Sequence, residues 1–132
     1  MRSKFLLAAA AVTLALATGA ASTQAWAADV KIGAVFPLSG NAANAGRSSL
    51  AAIQLAVDII NNKHPELSAL PSVGPGGLAN LGGAKIVLVS ADHQGNPAEG
   101  QSQTLRLITQ EKVAALIGAY QSNVSFTATA VA

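Results

Sequence analysis

The sequence predicts an α/β fold in which a parallel sheet carries helices on both faces. Three short apolar runs, of which the first stops at a proline and the third at a glycine, alternate with segments of helical periodicity. Strands that alternate with helices in this way form right-handed parallel crossovers. Hydrophobic residues make up 51% of the chain and charged residues only 11%, which argues against a disordered protein. With 132 residues, the chain has room for at most one domain.

The first strand and the first helix follow from the earliest apolar pattern. A strand is expected over Val30–Phe36, because the run is rich in β-branched residues, is apolar except at Lys31 and stops at Pro37. A run that is apolar on both faces is typical of a buried strand. A helix is expected from about Gly46 to Asn62, where one face carries the regularly spaced apolar residues Leu50, Ile53, Val57 and Ile60.

The middle of the chain combines a long loop with the second strand. Lys63–Gly83 contains three prolines and five glycines, so we expect a surface loop with one helical turn near Glu66–Ala69. Loops of this length are uncommon and are often functional or mobile, although a tolerated insertion is the simpler interpretation. Lys85–Ser90 is the expected second strand.

The second helix has a clear start signal. Asn96 can cap it, Pro97 suits the first turn, and Glu99 stands where its side chain can bind back to the amide of Asn96. Leu105 and Ile108 are expected to mark its inward face, in line with the earlier residues Ala98 and Gln101.

The third strand and the third helix complete the β-α-β-α-β-α order. Val113–Ile117 is the expected strand, and Gly118 ends it. Ser122 is expected to cap a helix that begins at Asn123.

Residues 1–27 have the pattern of a secretory signal peptide. Arg2 and Lys4 precede the apolar run Phe5–Ala17, and Ala25-Trp26-Ala27 has the small residues of a cleavage site. The run is shorter than the ~20 residues that span a bilayer, which disfavours the alternative of a membrane anchor. Cleavage after Ala27 leaves residues 28–132, and the expected location is the periplasm. Because cysteine is absent, no lipid anchor is expected.

Composition and motifs exclude several function classes. Without Arg2 and Lys4 the basic residues equal the acidic ones in number, so no basic surface is expected to bind nucleic acid. The sequence contains no glycine-rich nucleotide-binding motif and no nucleophile elbow, so neither an enzyme nor a cofactor is expected. His64 and His93 lack metal-ligand spacing, so no metal is expected. His93 beside Asp92 is expected in a solvated loop.

The topology indicates where a ligand would bind. In an open α/β sheet, ligands bind beyond the carboxyl ends of the strands. The segments that leave those ends are 37–46, 91–96 and 119–122, and all are rich in small and hydrogen-bonding residues. Gly118 allows a close backbone approach, and Ser122 offers a hydroxyl at a helix start, where free amides favour a carboxylate. Spacing alone favours a simple helix cap as the role of Ser122.

Four ordered stretches resemble the periplasmic substrate-binding proteins of the Leu/Ile/Val-binding type, the receptors of ABC importers. They cover nearly the whole chain after the signal peptide, in the family's order and spacing. In this sequence they read Lys31-Ile32-Gly33-Ala34-Val35-Phe36-Pro37-Leu38-Ser39-Gly40, Ala56-Val57-Asp58-Ile59-Ile60-Asn61, Asp92-His93-Gln94-Gly95-Asn96-Pro97 and Ala115-Leu116-Ile117-Gly118-Ala119-Tyr120-Gln121-Ser122.

The resemblance implies two α/β lobes that close on a ligand about a hinge. It also implies that Ser122 contacts a ligand carboxylate, and that Ala45 stands where the family often has a pocket aromatic. His93 replaces the second residue of an acidic pair, and Asn96 replaces an aspartate that can also cap a helix. Together with the loop positions, this gives the candidate ligand-binding residues Ser122, Tyr120, Gln121, Ala45 and Ser39.

The implied function is that of an extracytoplasmic solute receptor. It would bind an amino acid or a related small carboxylate or amide and deliver it to an ABC permease in the inner membrane. Family members are several-fold longer, so residues 28–132 are expected to form an incomplete N-terminal ligand-binding lobe, a partial first lobe of the receptor. The alternative is a ligand-sensing domain of a regulatory or signalling protein with the same fold.

Overall fold

The computed structural model describes residues 28–70 and 74–132. The predicted signal peptide and its cleavage site after Ala27 lie outside the described residues. The main elements, in chain order, are β1 (Val30–Phe36), α1 (Ala43–Asn61), β2 (Ile86–Asp92), α2 (Pro97–Thr109), β3 (Ala115–Gly118) and α3 (Ser122–Thr129).

The sheet is parallel and has β1 at its centre. Its strand order is β2-β1-β3, with Phe36 opposite Asp92 and Val35 opposite Gly118. The first crossover leads from β1 to one side of the sheet, and the second leads from β2 across β1 to the other side. Right-handed connections in opposite directions put α1 and α2 on opposite faces. The predicted fold class is therefore confirmed.

The core lies between the sheet and α2. Val35 of β1, Ala91 of β2 and Leu107 of α2 are buried together, and the partly buried Val89, Val113 and Leu116 pack against them. Ala34 and Phe36 alternate with Val35 along β1, so they point to the opposite face, and both are buried. The central strand is thus covered on both faces, as its apolar run predicts.

Helix α1 begins at Ala43, before the predicted Gly46. Gly46 lies inside the first turn of α1 and not at the start of the helix. A side chain at position 46 would collide with the carbonyl of Pro37. The predicted apolar face is half-buried along its length. The side chain of Asn61 donates to the carbonyl of Ile86 and accepts from its amide, both at 2.8 Å. The end of α1 is thereby attached to the start of β2.

Helix α2 has the predicted cap but a different inward face. Asn96 Oδ1 accepts from the amides of Ala98 and Glu99, at 2.9 and 3.3 Å. Glu99 does not bind back to the Asn96 amide, which instead donates to the carbonyl of His93. The predicted inward face was wrong: Leu105 is 47% exposed. The buried residues are Gly100, Thr104 and Leu107.

The inward face of α2 differs because α3 packs on it. A Cβ at Gly100 would collide with the side chain of Val124, so the two helices approach each other closely at this glycine. The spacing of apolar residues predicts Leu105 on the inward face, whereas the close contact with α3 requires the small residue Gly100 there. Gly100 of α2 thus faces Val124 of α3, while Leu107 of the same helix packs in the core with Val35 and Ala91.

The other predicted boundaries shift slightly. Strand β2 begins at Ile86 and extends to Asp92. Strand β3 begins later than Val113, because the Val113 amide donates to the carbonyl of Leu107 at the end of α2. The long loop Lys63–Gly83 contains 3₁₀ turns at Pro65–Leu67 and Ala79–Leu81, and the first of these agrees with the predicted turn.

Candidate functional site

The loops that follow β1 and β2 are joined by one carboxylate. Asp92 Oδ1 accepts from the amide of Leu38 at 2.8 Å, and Oδ2 accepts from the hydroxyl of Ser39 at 2.6 Å. Oδ1 also accepts from the amide of Gln94 at 2.8 Å, within its own loop. On the other side, Arg47 donates to the carbonyl of Leu38 at 3.0 Å. The segment after β1 is therefore held from both β2 and α1.

These contacts determine the ionisation of Asp92. Partial burial acts to raise the pKa of its carboxyl group. The hydrogen bond from Ser39 and those from the amides of Gln94 and Leu38 outweigh that effect, so the pKa of Asp92 lies below its usual value. Both oxygens of the Asp92 carboxylate therefore accept hydrogen bonds from other groups of the protein.

The loops that follow β2 and β3 are joined by His93. Its side chain is fully buried, which corrects the expectation of a solvated loop residue. One ring nitrogen, Nε2, lies 2.9 Å from the carbonyl oxygen of Ala119. The other, Nδ1, accepts from the amide of Gly95 at 3.1 Å. His93 is thus an internal hydrogen-bonding partner of two backbone groups.

The turn from β3 to α3 has an unusual backbone. A Cβ at Gly118 would collide with the carbonyl of Val35, and its φ of 150° is one that other residues rarely adopt. Tyr120 has φ 76° although it is not glycine, and its side chain is 60% exposed. Non-glycine residues in the left-handed region are uncommon. The turn therefore presents the ring of Tyr120 to solvent beyond the sheet edge.

Helix α3 begins one residue earlier than predicted. Gln121 is its N-cap, and no side chain caps the helix. The predicted cap role of Ser122 was therefore wrong: Ser122 is the first helical residue and is exposed. Ser125 connects the turn instead, because its hydroxyl accepts from the amide of Ala119 at 3.4 Å and donates to the carbonyl of Gln121 at 3.1 Å.

The candidate ligand-binding residues lie on these same segments. Ser39 is exposed and hydrogen-bonded to Asp92, and Ala45 is half-buried in the first turn of α1. The Gln121 side chain packs against Gly95, where an added Cβ would lie 3.2 Å from Oε1. The structure thus brings Ser39, Tyr120, Gln121 and Ser122 to the carboxyl edge of one sheet.

A shallow pocket lies beside this edge, between β3 and the helices α2 and α3. Its lining is mostly apolar and includes Val35, Leu116, Ile117 and Ala128, with Thr104 and Ser125 as polar members. Tyr120, Gln121 and Ser122 do not line it. The pocket therefore shares Gly118 and Ala119 of the turn with the candidate site, but none of the predicted ligand-binding side chains.

The described part of the chain shows neither a metal cluster nor a helix suited to a bilayer. Within residues 28–70 and 74–132, no group of three or more His, Cys, Asp or Glu side chains has the arrangement of a metal site. Among the helices of the same segments, none is long and apolar enough to cross a membrane.

Comparison with known proteins identifies the family. A model of a periplasmic binding protein family matches residues 29–132. The chain belongs to this periplasmic binding protein family. The family is one of solute-binding receptors, and the parallel sheet with its carboxyl-edge loops agrees with that assignment.

Curated relatives of this periplasmic binding protein carry Leu/Ile/Val-binding names. Leu/Ile/Val-binding protein homolog 7 of Brucella abortus is 37% identical over 109 residues, which are 82% of this chain and 22% of the relative. Homolog 8 of Brucella suis is 35% identical over 123 residues, which are 92% of this chain and 26% of the relative. The chain therefore spans about a quarter of the length of these relatives.

Solved structures show the same fold and the same partial coverage. The branched-chain amino acid transporter substrate-binding protein LivJ from Streptococcus pneumoniae, in complex with isoleucine, is 34% identical with a TM-score of 0.62. It matches 78% of this chain and 25% of its own. A solute-binding protein of an ABC transporter from R. palustris, in complex with benzoate, is 25% identical with a TM-score of 0.58, covering 78% of this chain and 24% of its own.

Sequence reasoning missed two residues that organise the site. His93 was expected in solvent, because no pattern along the chain shows that the turn after β3 covers it. Ser125 was not among the candidates, although a serine in the first turn of a helix can bind the preceding backbone. Both residues contact the turn at 119–121.

Proposed function

We propose that this periplasmic binding protein acts as an extracytoplasmic solute receptor of an ABC transporter. Residues 28–132 supply the first part of one ligand-binding lobe. The receptor binds an amino acid or a related small carboxylate or amide and delivers it to a permease in the inner membrane. Residues 1–27 direct export and are removed after Ala27.

The observation that carries this proposal is the continuous hydrogen-bonded edge. Asp92 joins the loop after β1 to the loop after β2, and His93 joins the loop after β2 to the turn after β3. A surface built from three strand ends is held in one shape before a ligand arrives. Pre-formed polar surfaces of this kind reduce the ordering cost of binding. Such a surface suits one wall of a ligand cleft.

The anion-binding part of the site is the start of α3. The first amides of a helix have no partner within the helix, and the helix dipole favours negative charge there. Ser122 is exposed at this point and adds a hydroxyl group. We assign the ligand carboxylate to Ser122 and the adjacent amides, with Gln121 and the ring of Tyr120 beside it.

The ligand class follows from chemistry that two similar proteins share. The relatives carry Leu/Ile/Val-binding names, and the similar solved structures hold isoleucine and benzoate. Both of those ligands combine a carboxylate with an apolar group. Ala45 provides a small wall in the first turn of α1, so the ligand's apolar group has more room than beside an aromatic residue.

Isothermal titration calorimetry on the complete receptor tests the proposal. L-isoleucine, L-leucine and benzoate are the probes, and L-isoleucinamide is the matched control without a carboxylate. We expect at least one carboxylate probe to bind with micromolar or better affinity, and the amide to bind at least tenfold more weakly than L-isoleucine if L-isoleucine is the ligand. Absence of binding by every probe at millimolar concentration would contradict the assigned ligand class.

A further inference from the structure

His93 is the largest fully buried polar side chain of the described residues. Its exposed fraction is 0%, and only Leu107 is larger among the fully buried side chains. A buried imidazole is costly unless its polar atoms have partners. Both ring nitrogens are satisfied here by backbone groups from different segments.

The partners assign the tautomer of the ring. The amide of Gly95 can only donate, so Nδ1 of His93 must accept and carries no proton. The carbonyl of Ala119 can only accept, so Nε2 carries the proton and donates it. Each ring nitrogen therefore has one permitted role. An imidazole in the other tautomer would face a donor with a donor and an acceptor with an acceptor.

His93 also contacts the remaining strand end through its backbone. Its amide donates to the carbonyl of Phe36 at 3.2 Å, and its carbonyl accepts from the amide of Asn96 at 2.7 Å. One residue thus connects the carboxyl ends of β1, β2 and β3. The neighbouring carboxylate of Asp92 accepts hydrogen bonds from Leu38, Ser39 and Gln94, and it is not a hydrogen-bond partner of the His93 ring.

Among the described residues, one other side chain is hydrogen-bonded to the backbone of Ala119, the residue of the turn that His93 reaches. The amide of Ala119 is 3.4 Å from the Ser125 hydroxyl, a long hydrogen bond. Tyr120, the next residue, has an unfavourable φ for a side chain. Such a backbone conformation persists only when surrounding contacts hold it. The 2.9 Å bond from His93 to the Ala119 carbonyl is the shorter of the two bonds from other elements described at Ala119.

We propose that His93 is a positioning residue of the ligand site. Its Nε2–H group fixes the Ala119 carbonyl and thereby the orientation of the turn at 119–122, which presents Tyr120, Gln121 and Ser122. The effect of His93 on ligand affinity rests on the proposed receptor function, whereas its effect on the conformation of the turn does not. Simple space filling is the alternative role, and it predicts that only side-chain volume matters.

Two conservative variants separate the two bonds of the ring. In His93→Gln, the amide nitrogen can occupy the region of Nε2 and donate to Ala119. In His93→Asn, the shorter side chain can replace Nδ1 as the acceptor for Gly95 but cannot reach Ala119. His93→Ala removes both bonds. Because Asn is also smaller than Gln, His93→Leu serves as the volume control: it keeps about the size of the ring and makes neither bond. If only volume mattered, His93→Leu would exchange like wild type.

Hydrogen exchange of the complete receptor, measured by mass spectrometry without ligand, is the deciding experiment. We expect peptides that cover 119–125 to exchange at least tenfold faster in His93→Asn than in wild type, and within threefold of wild type in His93→Gln. Equal exchange of this segment in both variants would overturn the positioning role. Imidazole ¹⁵N spectra of the wild type provide a second measurement, since the Nδ1–H tautomer of the neutral ring would overturn it as well.

Binding of L-isoleucine and benzoate distinguishes the two proposals. We expect His93→Asn to lose about tenfold in affinity for the bound probe and His93→Gln to stay within threefold. If wild type binds neither probe, the assigned ligand class fails, while the exchange result still decides the role of His93. If wild type binds and His93→Asn binds equally well, the positioning role fails and the receptor function stands.

Discussion

The hydroxyl of Ser39 donates a hydrogen bond of 2.6 Å to Oδ2 of Asp92, and this bond joins the ends of two neighbouring parallel strands. Ser39 follows β1, and Asp92 is the last residue of β2. Ser39 is also one of the ligand-binding residues that the sequence predicts. Its hydroxyl proton is engaged by Asp92, so toward a ligand Ser39 has only the acceptor capacity of its oxygen.

Replacing Ser39 by alanine should therefore destabilise the apo protein. We expect the free energy of unfolding at pH 7 to fall by about 1 kcal/mol, the usual net value of one hydrogen bond. The pKa of Asp92 should rise toward its usual value, because the Ser39 bond helps to lower it. Denaturant unfolding and NMR titration of the carboxyl group measure the two effects.

The pH dependence of this effect has a definite sign. A carboxyl group with a lowered pKa in the folded state adds stability above its unfolded pKa, and this stability is lost as pH falls through the folded pKa. The difference in unfolding free energy between wild type and Ser39→Ala should be largest at pH 7 and should shrink below about pH 4. Ser48→Ala, at an exposed position of α1, is the control and should show no such trend.

His64 should show the opposite dependence on pH. Its ring lies between two carboxylates, with Nδ1 2.9 Å from Glu66 and Nε2 3.2 Å from Asp58. The hydrogen bond to Glu66 raises the pKa of His64; desolvation opposes this, and Asp58 adds to the increase. A raised pKa gives stability that is fully present below the unfolded pKa of about 6.5 and is lost as pH rises through the folded pKa.

The comparison of wild type with His64→Ala tests this sign. The stability difference should be larger at pH 6 than at pH 8.5, and an NMR titration of wild type should give a pKa above the ordinary histidine value. Glu66→Gln removes the main cause and should shift the pKa of His64 back down. A wild-type pKa at or below the ordinary value would show that the ring does not pair with these carboxylates in solution.

Gly118 should not tolerate a side chain. A Cβ would collide with the carbonyl of Val35, and the φ of 150° is unfavourable for alanine. We expect Gly118→Ala to lower the free energy of unfolding by about 2 kcal/mol or more, because backbone strain and overpacking act together. A Cβ at Gly74 would meet nothing within 4 Å beyond its chain neighbours, so Gly74→Ala is a matched control with little expected effect.

The elements could be predicted from the sequence where one local signal dominates. The apolar run before Pro37 gives β1 its observed bounds, and Asn96 caps α2 as expected. These features depend on residues close together in the chain. The face of α2 could not be predicted in this way, because it depends on the contact of Gly100 with Val124 of another helix.

For the candidate site, the sequence predicts which residues lie at the carboxyl edge of the sheet but not the hydrogen bonds between them. Parallel topology brings the strand ends to one edge, so Ser39 and Tyr120 could be assigned to that edge from sequence. The bond from His93 to Ala119 joins residues 26 apart in sequence and depends on the sheet order β2-β1-β3. No pattern along the chain specifies that order, so the buried role of His93 could not be predicted.

Because Ser122 does not cap α3, its replacement by alanine separates an effect on ligand affinity from an effect on stability. As a cap, Ser122 would have stabilised α3, and its replacement by alanine would have cost about 1 kcal/mol of stability. Since Ser122 is an exposed first helical residue, Ser122→Ala should change stability by no more than about 0.5 kcal/mol. Any substantial effect should therefore appear in ligand affinity.

In the complete receptor, Ser122→Ala should weaken binding of a carboxylate ligand about tenfold to a hundredfold. One hydrogen bond to a charged group is worth about 1.5–3 kcal/mol, and about 1.4 kcal/mol corresponds to one decade of affinity. The loss should be absent when the ligand lacks its carboxylate, so the effects of Ser122→Ala and of L-isoleucinamide in place of L-isoleucine should not add. Calorimetric titration of both ligands against both proteins measures this coupling. Fully additive effects would mean that Ser122 and the carboxylate do not meet, since two groups that share one hydrogen bond cannot lose it twice.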